Sequence, residues 1–316
     1  MRCIAARYPS KKFIIKRWRC KGIPPFQLWL LSVTHSYNSS ATQHKLDLFN
    51  PITAARGLWR HRELIEQFTR REVEGRYKAS ALGLLWTFIN PLLMLGIYTF
   101  VFGVIFKSKW AQANSDSLAE FAVVLFCGLT TYNIFSEVVA RAPSVIVAVP
   151  NYVKKVVFPL EILVMTALGA ALFHAAIAFC IVILANLLIN GVLHWTIILA
   201  PLVLLPLCLI SLGLGWFLAS LGVFLRDISN IVALAVQMLL FLTPIFYDIS
   251  ILPPVLRQLI GINPMAWCVT NMRNVMLWGT IPNPVEWLIW TAISLVIAVL
   301  GYAWFMKTRK AFADVL

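Results

Sequence analysis

Four long runs without a charged residue constrain this chain more than any other feature of its sequence. The runs cover Ala79–Phe106, Ile162–Leu225, Ile228–Tyr247 and Trp287–Met306, with 28, 64, 20 and 20 residues. A bilayer core of about 30 Å needs about 20 helical residues. The longest run therefore predicts two membrane spans and each of the others predicts one, which excludes an ordinary soluble fold.

Composition agrees with this, because 60% of the residues are hydrophobic and 13% are charged, against about 45–50% and about 25% in globular proteins. We expect an all-α polytopic membrane protein with six transmembrane helices. The predicted spans are about Ala81–Phe106, Phe121–Ala140, Ile162–Asn190, Thr196–Phe224, Ile228–Tyr247 and Trp287–Met306. The third begins after a proline and an early carboxylate, and it ends at the turn signal Asn190-Gly191.

Few ionisable groups fall inside these spans. Glu137 in the second span precedes Arg141 by four residues, which predicts a pair on one helical face near a membrane end. His174 lies well inside the third span, where we interpret it as a packed or hydrogen-bonded histidine rather than a ligand.

The basic residues are distributed unevenly and thereby predict the orientation. Sixteen of the 27 Lys and Arg precede residue 80, and six spans place 23 on the side of the termini against four on the other. Cytoplasmic loops carry the excess of Lys and Arg. We therefore expect both termini in the cytoplasm. The net charge of +14 does not indicate nucleic-acid binding, because no reading motif accompanies it.

The sequence predicts three parts. Residues 1–50 are a basic N-terminal extension, residues 51–80 hold a cytoplasmic interfacial helix, and residues 81–316 form the membrane domain. The helix is predicted over 58–78, with basic residues at headgroup depth and a partial apolar face made of Leu58, Leu64, Ile65, Phe68 and Val73. Two alternatives remain: a solvated linker helix here, and a cleaved signal peptide near Ser39-Ser40-Ala41.

The segment between spans five and six carries two sets of helix boundary signals. One stretch opens at Pro253-Pro254 and reaches Gly261, and the next opens at Asn263-Pro264 and stops at Gly279. Both are too short to cross a bilayer. We predict two short re-entrant helices entering from the external face, and a plain external loop is the alternative.

Motifs of catalysis are missing. The chain has no phosphate-binding loop, no catalytic spacing such as G-x-S-x-G, and no cysteine spacing for zinc. Five of the six spans lack a charge near the centre, which disfavours an ion-driven carrier. A channel, a scaffold or a transporter energised by another polypeptide remains. Aromatic side chains within the spans are candidates to line a glycan path, with ordinary core packing as the alternative: Trp86, Tyr98, Phe102, Phe241 and Phe246.

Four sequence blocks resemble the membrane subunits of type-2 ABC exporters of surface polysaccharides. They are RREVEGRYKASALGLLWTFINPLL from residue 70, VKKVVFPLEIL from 153, FLRDISNIV from 224, and LTPIFYDISILPP from 242, which INP follows. They occur in the family's order over residues 55–316. Residues 1–50 depart from the family, whose members generally lack such an extension.

The resemblance implies a permease without an ATPase site of its own. The resemblance places it in the bacterial cytoplasmic (inner) membrane as a homodimer with two copies of an ATP-binding subunit, which holds ATP and Mg²⁺. Its implied substrates are O-antigen, capsule or teichoic-acid chains on a lipid carrier. The resemblance and the charge pattern together place lipid-phosphate entry at Arg76, Tyr77 and Lys78. Coupling to the ATPase is assigned to residues 142–157, bounded by Pro143 and Pro150, and to the turn after span four: Val147, Asn151, Lys154, Lys155, Arg226 and Asp227.

Two other functions stay open from sequence alone. One is a membrane-embedded glycosyltransferase or ligase that acts on the same lipid-linked sugars, and the other is a non-catalytic scaffold. An adjacent reading frame for a phosphate-loop ATPase would favour the exporter.

The six-span topology makes a direct prediction. Reporters fused after Lys109 and after Asn263 are expected to be external, and reporters after Asn151 and Leu316 cytoplasmic, because the positive charges orient the chain. Paired alkaline-phosphatase and fluorescent-protein fusions measure this. A cytoplasmic signal at Asn263 would overturn the span count.

Overall fold

A computed structural model of the chain describes residues 51–77, 82–106, 110, 117–154 and 158–316, and these residues form helices without any β-strand. The predicted extension 1–50 lies outside the described residues, as do Lys78 and Lys155. The all-helical class predicted from the sequence is therefore confirmed for the part of the chain that the structure covers.

The α-helices are numbered here in chain order. They are α1 (Pro51–Arg60), α2 (Arg62–Tyr77), α3 (Trp86–Tyr98), α4 (Leu118–Val145), α5 (Pro150–Lys154), α6 (Ile162–Asn190), α7 (Ala200–Phe224), α8 (Ile228–Leu242), α9 (Pro254–Gly261), α10 (Pro264–Arg273), α11 (Pro284–Thr308) and α12 (Phe312–Val315). A π-helical segment, Thr99–Ile105, continues α3, and another, Asn274–Trp278, continues α10.

Five helical segments are long and apolar enough to cross a membrane: Trp86–Ile105, Leu118–Val145, Ile162–Asn190, Trp195–Phe224 and Pro284–Val315. Helix α8 is apolar but has 15 residues, where the sequence predicted a 20-residue span. It ends early because Thr243 adopts an extended conformation and proline follows. The chain has the helices of a multi-pass membrane protein, with a shortened helix at the predicted fifth span.

Local boundary signals predicted several helix ends correctly. Helix α6 ends at Asn190, and Gly191 takes a left-handed conformation with φ of 66°. Gly279 does the same after the segment that follows α10, with φ of 68°. Glycine adopts this conformation without the steric cost that other residues meet.

The predicted interfacial helix is two helices. The chain breaks at His61 between α1 and α2, whereas the sequence predicted one helix beginning at residue 58. Val73 is buried and Phe68 packs against the core. The predicted apolar face is therefore used, but against the protein.

Helix α4 forms the centre of the membrane domain. Most of its apolar stretch is buried (78%), whereas none of the corresponding stretch of α3 is. Helix α4 continues through the predicted boundary at Pro143 to Val145. Helices α6 and α7 pack on α4, and α11 packs along α7.

The contact between α7 and α11 depends on glycine. A Cβ on Gly213 would lie 2.6 Å from the backbone oxygen of Ile297, and a Cβ on Gly301 would overlap the backbone of Gly213. Small residues let the backbones of membrane helices approach closely, which increases van der Waals contact. This packing holds α11 against α7. Helices α3 and α8 carry exposed apolar faces.

Candidate functional site

A cavity of about 660 Å³ opens between four helices. Residues of α3, α4, α6 and α8 form its lining. Arg76, Glu137 and His174 lie on its lining. Its volume falls within the range of small-molecule sites, about 300–1,000 Å³.

A network of ion pairs and a histidine contact joins helix α2 to helices α4 and α6. A guanidinium nitrogen of Arg76 contacts a carboxylate oxygen of Glu137, and the other oxygen of Glu137 lies 3.3 Å from Nδ1 of His174. Arg141 donates to Glu72 at 2.6 Å, and Arg76 Nε is 3.9 Å from the same oxygen. The predicted pairing of Glu137 with Arg141 is therefore wrong: both face α2, and each binds a residue there.

The predicted lipid-phosphate residues are only partly described. Arg76 is at the last turn of α2 and lines the cavity with about one third of its side chain exposed. Tyr77 ends α2 and Lys78 lies outside the described residues. His174 is hydrogen-bonded, as the sequence analysis expected.

Four of the five predicted path aromatics meet around one ring. Phe246 stacks on Phe102 at 4.4 Å between centroids, and it lies 5.2 Å from Tyr98 and 5.7 Å from Phe241. Trp86 and Tyr98 line the cavity. Tyr98, the last residue of α3, is the member of this cluster that lines the cavity.

Sequence reasoning missed the uncharged polar groups of the cavity. Thr87, Asn90, Thr130, Asn133 and Gln237 all line it. A signal was available: Thr87 and Asn90 are three residues apart in one apolar run, as are Thr130 and Asn133 in another, and this spacing places each pair on one helical face.

Arg273 supports the irregular chain that follows α8. Its side chain is buried, with 2% exposed. It donates to the carbonyl oxygens of Val124 (3.0 Å), Pro244 (2.7 Å) and Ile245 (2.9 Å), and its guanidinium carbon lies 4.2 Å from the ring centre of Trp110. A rigid fork of donors suits three fixed carbonyl groups better than the single ammonium of a lysine.

Helix α10, which ends at Arg273, also bonds the segment after α8 through its N-terminal end. Asn263, the N-cap of α10, accepts from the backbone of Met265 and donates to the hydroxyl of Thr243 at 3.2 Å. Arg273 is the last residue of α10. Both ends of α10 therefore bond the segment that carries Phe246, which fixes this ring in the aromatic cluster.

Comparison with known proteins gives the family. The ABC-2 type transporter family matches residues 63–277, which includes the cavity and Arg273. This chain belongs to the ABC-2 type transporters. It is 26% identical over 265 residues to the O-antigen export system permease protein RfbA of Myxococcus xanthus, covering 83% of this chain and 99% of that one. A protein of the same name from Klebsiella pneumoniae is 25% identical over 258 residues, with 80% and 95% covered.

The predicted coupling residues of this transporter subunit lie at the Arg76 end of the helices. Asn151 and Lys154 are exposed on α5, Val147 precedes it, and Arg226 and Asp227 are exposed in the turn between α7 and α8. Helix α5 occupies the end of the predicted coupling segment. Lys155 lies outside the described residues.

Aromatic contacts connect helix α5 to helix α2. Tyr152 of α5 stacks on Phe158 at 4.8 Å, and Phe68 of α2 lies 5.9 Å from Tyr152 and 5.3 Å from Phe158.

Burial lowers the pKa of His61, and Arg60 lowers it further while Glu161 raises it. His61 is therefore favoured as a neutral residue at the α1–α2 break.

The Arg273 contacts predict a large effect of a small substitution. Arg273→Lys keeps the charge but leaves buried carbonyl oxygens without donors, which costs about 1–3 kcal/mol. We expect a clear drop in the melting temperature of the purified protein in detergent. Gly128→Ala should act on the same contact, because a Cβ there would lie 2.9 Å from the guanidinium carbon of Arg273.

Arg257→Lys is the matched control. Arg257, on helix α9, also donates to a backbone carbonyl, that of Ser250 at 2.7 Å, but both residues are exposed, so a lost bond leaves no buried group unpaired. Its melting temperature should stay close to that of the unchanged protein. Equal stability of Arg273→Lys and Arg257→Lys would refute the bracing role.

Proposed function

We propose that this chain is the transmembrane subunit of an ATP-driven exporter of lipid-linked polysaccharide, of the O-antigen, capsule or teichoic-acid type. The supporting observation is a cavity lined by Arg76 and Glu137, by uncharged polar groups, and by aromatic rings that include Trp86 and Tyr98. Relatives that align with this chain over 95–99% of their own length are O-antigen export system permease proteins. The family membership favours this function over a glycosyltransferase or ligase.

The proposal includes six crossings of the inner membrane with both termini in the cytoplasm. Helix α8 rises about 22 Å over its 15 residues, and the extended Thr243 adds about 3.3 Å, so in this proposal the turn residues 244–247 complete the leg. A non-helical leg needs partners for its carbonyl groups, which Arg273 supplies. Helices α9 and α10 then form the two external re-entrant helices.

The proposed working unit is a homodimer with two copies of an ATP-binding subunit. Helix α3 and the π-helical segment that continues it expose Leu93, Ile97, Phe100 and Val104, and α8 exposes Ile231, Leu234, Met238 and Phe241. Both sets repeat at alternating spacings of three and four residues, the pattern with which one helix packs on another. A second copy on this face would close the open side of the cavity.

In this proposal the residues 51–80 form the cytoplasmic interfacial part and 81–316 the permease domain. ATP and Mg²⁺ bind the partner subunit, which contacts Val147, Asn151, Lys154, Lys155, Arg226 and Asp227. The anionic end of the lipid carrier enters beside Arg76, Tyr77 and Lys78. Since Glu137 contacts Arg76, a phosphate group would compete with this carboxylate for the guanidinium.

Gene deletion tests the function. Loss of surface polysaccharide with accumulation of lipid-linked glycan in the cytoplasmic leaflet is expected, and the restored gene should reverse it. The purified chain should also raise the ATPase activity of its co-expressed ATP-binding subunit. Normal surface glycan after deletion would refute the exporter.

The coupling surface predicts specific crosslinks. Single cysteines at Val147 or Asn151 should crosslink to the ATP-binding subunit. Val147 precedes α5, Asn151 lies on it, and both are exposed. A cysteine at Val255, exposed at the opposite end, is the control and should not react. Failure at every position of the segment 142–157 would remove it as the coupling site.

The phosphate site predicts an ordered series at Arg76. Arginine grips phosphate oxygens with two donors, whereas lysine is a point charge. Arg76→Lys should lower export per inserted copy several-fold, and Arg76→Ala should lower it further. Arg70→Ala is the control, because Arg70 is an exposed arginine of the same helix, bound to Glu74 at 2.7 Å.

A second substitution separates phosphate binding from a purely structural ion pair. Glu137→Gln removes the competing charge but leaves Arg76 in place. A phosphate site predicts retained or higher export in Glu137→Gln, whereas a structural pair predicts the same loss as in Arg76→Ala. Full export in Arg76→Ala would leave this residue without a transport role.

A further inference from the structure

The cavity carries a row of uncharged polar side chains along apolar helices. We name this row the polar stripe: Thr87 and Asn90 on α3, Thr130 and Asn133 on α4, and Gln237 on α8. Asn90 and Thr87 belong to a run of 28 residues without a charge. Polar groups inside a membrane domain carry a cost, and they typically face an internal cavity with a function.

Two hydroxyl groups of the polar stripe stand out by their surroundings. Thr87 and Thr130 are 6% and 3% exposed, and their Oγ1 atoms have no hydrogen-bond partner among the described residues. Helical threonines usually bond the carbonyl one turn back, as the neighbouring Thr131 does with Cys127 at 2.8 Å. Burying an unpaired hydroxyl costs about 1–3 kcal/mol.

The three amides of the polar stripe are exposed side chains on the same lining. Asn90, Asn133 and Gln237 present both donors and acceptors. An acyl chain would leave these groups unpaired, and the stripe itself has no charge to hold an ion. Hydroxyl-rich molecules match mixed donors and acceptors, and the faces of Trp86 and Tyr98 on the same cavity suit sugar rings.

We propose that the polar stripe binds the sugar hydroxyls of the transported glycan, with Thr87 and Thr130 as partners inside the cavity. This rests on the proposed export function and deepens it: the charged end at Arg76 takes the lipid phosphate, and the stripe takes the sugars next to it. Substrate contact then begins with hydrogen bonds before the chain reaches the aromatic cluster around Phe246.

Isosteric substitutions test the stripe by export. The double variant Thr87→Val with Thr130→Val removes two hydroxyls without changing shape, and surface glycan per inserted copy should fall about tenfold. Thr291→Val is the matched control, because Thr291 has the same buried, unpaired hydroxyl among the described residues but lies outside the cavity lining. It should export within twofold of the unchanged chain, and ATPase activity without glycan should be equal in all three.

Photocrosslinking tests binding directly. A benzoyl-phenylalanine at Asn133 should capture the cell's own glycan, detected by periodate labelling, in cells that make it and not in cells lacking the initiating sugar transferase. The same probe at Ile293, an exposed residue of α11, should capture no carbohydrate. Equal capture at both positions, or none at Asn133 and Asn90, would overturn the stripe.

The outcomes separate this inference from the export function. If deletion of the gene abolishes surface glycan but the double threonine variant exports normally and nothing is captured, the chain is an exporter whose stripe does not bind sugar. If deletion leaves surface glycan intact, the export function itself fails.

Discussion

The guanidinium of Arg273 is the interaction on which the far end of this structure depends. A backbone within a bilayer must satisfy its polar groups internally, and α8 stops before a crossing is complete. Three carbonyl groups, including that of Val124 in the central helix, converge on this one side chain. Since α10 also bonds Thr243 through Asn263, the segment that bears Phe246 is braced at two points.

Sequence predicted well the features that local chemistry decides. The start of a charge-free run at Ile162 and the turn signal Asn190-Gly191 predicted the two ends of α6. Pro264 and Gly279 likewise predicted the two ends of the segment that includes α10. Partners distant in the chain were not predictable in this way. Glu137 binds Arg76, 61 residues away, rather than Arg141 one turn on, because tertiary packing brings α2 against this face. Likewise no local signal predicts that Arg273 will meet Pro244.

Polarity changes in order along the cavity. Arg76, Glu137 and His174 lie at one end, amides and hydroxyls follow, and Tyr98, which contacts Phe246, lines the wall at the last residue of α3. This order parallels the cost of each group in a bilayer, which is greatest for charges and least for aromatic carbon. In the proposed function, an amphiphile with a phosphate end and a sugar chain would contact Arg76 through its phosphate and the amides and hydroxyls through its sugars. The amino-acid composition of the chain did not reveal this order.

The two ends of the molecule differ in how firmly they are fastened. The ion pairs of α2 are about one third exposed, and pairs with such access to water contribute about 0–1 kcal/mol each. The Arg273 contacts are fully buried, and breaking them leaves several carbonyl groups unpaired. Movement of α5 would reach α2 through Tyr152 and Phe68, whose rings lie 5.9 Å apart. Within the proposed exporter, a force that the ATP-binding subunit applies at α5 is therefore expected to release Arg76 from Glu137 before it disturbs the segment that α10 braces.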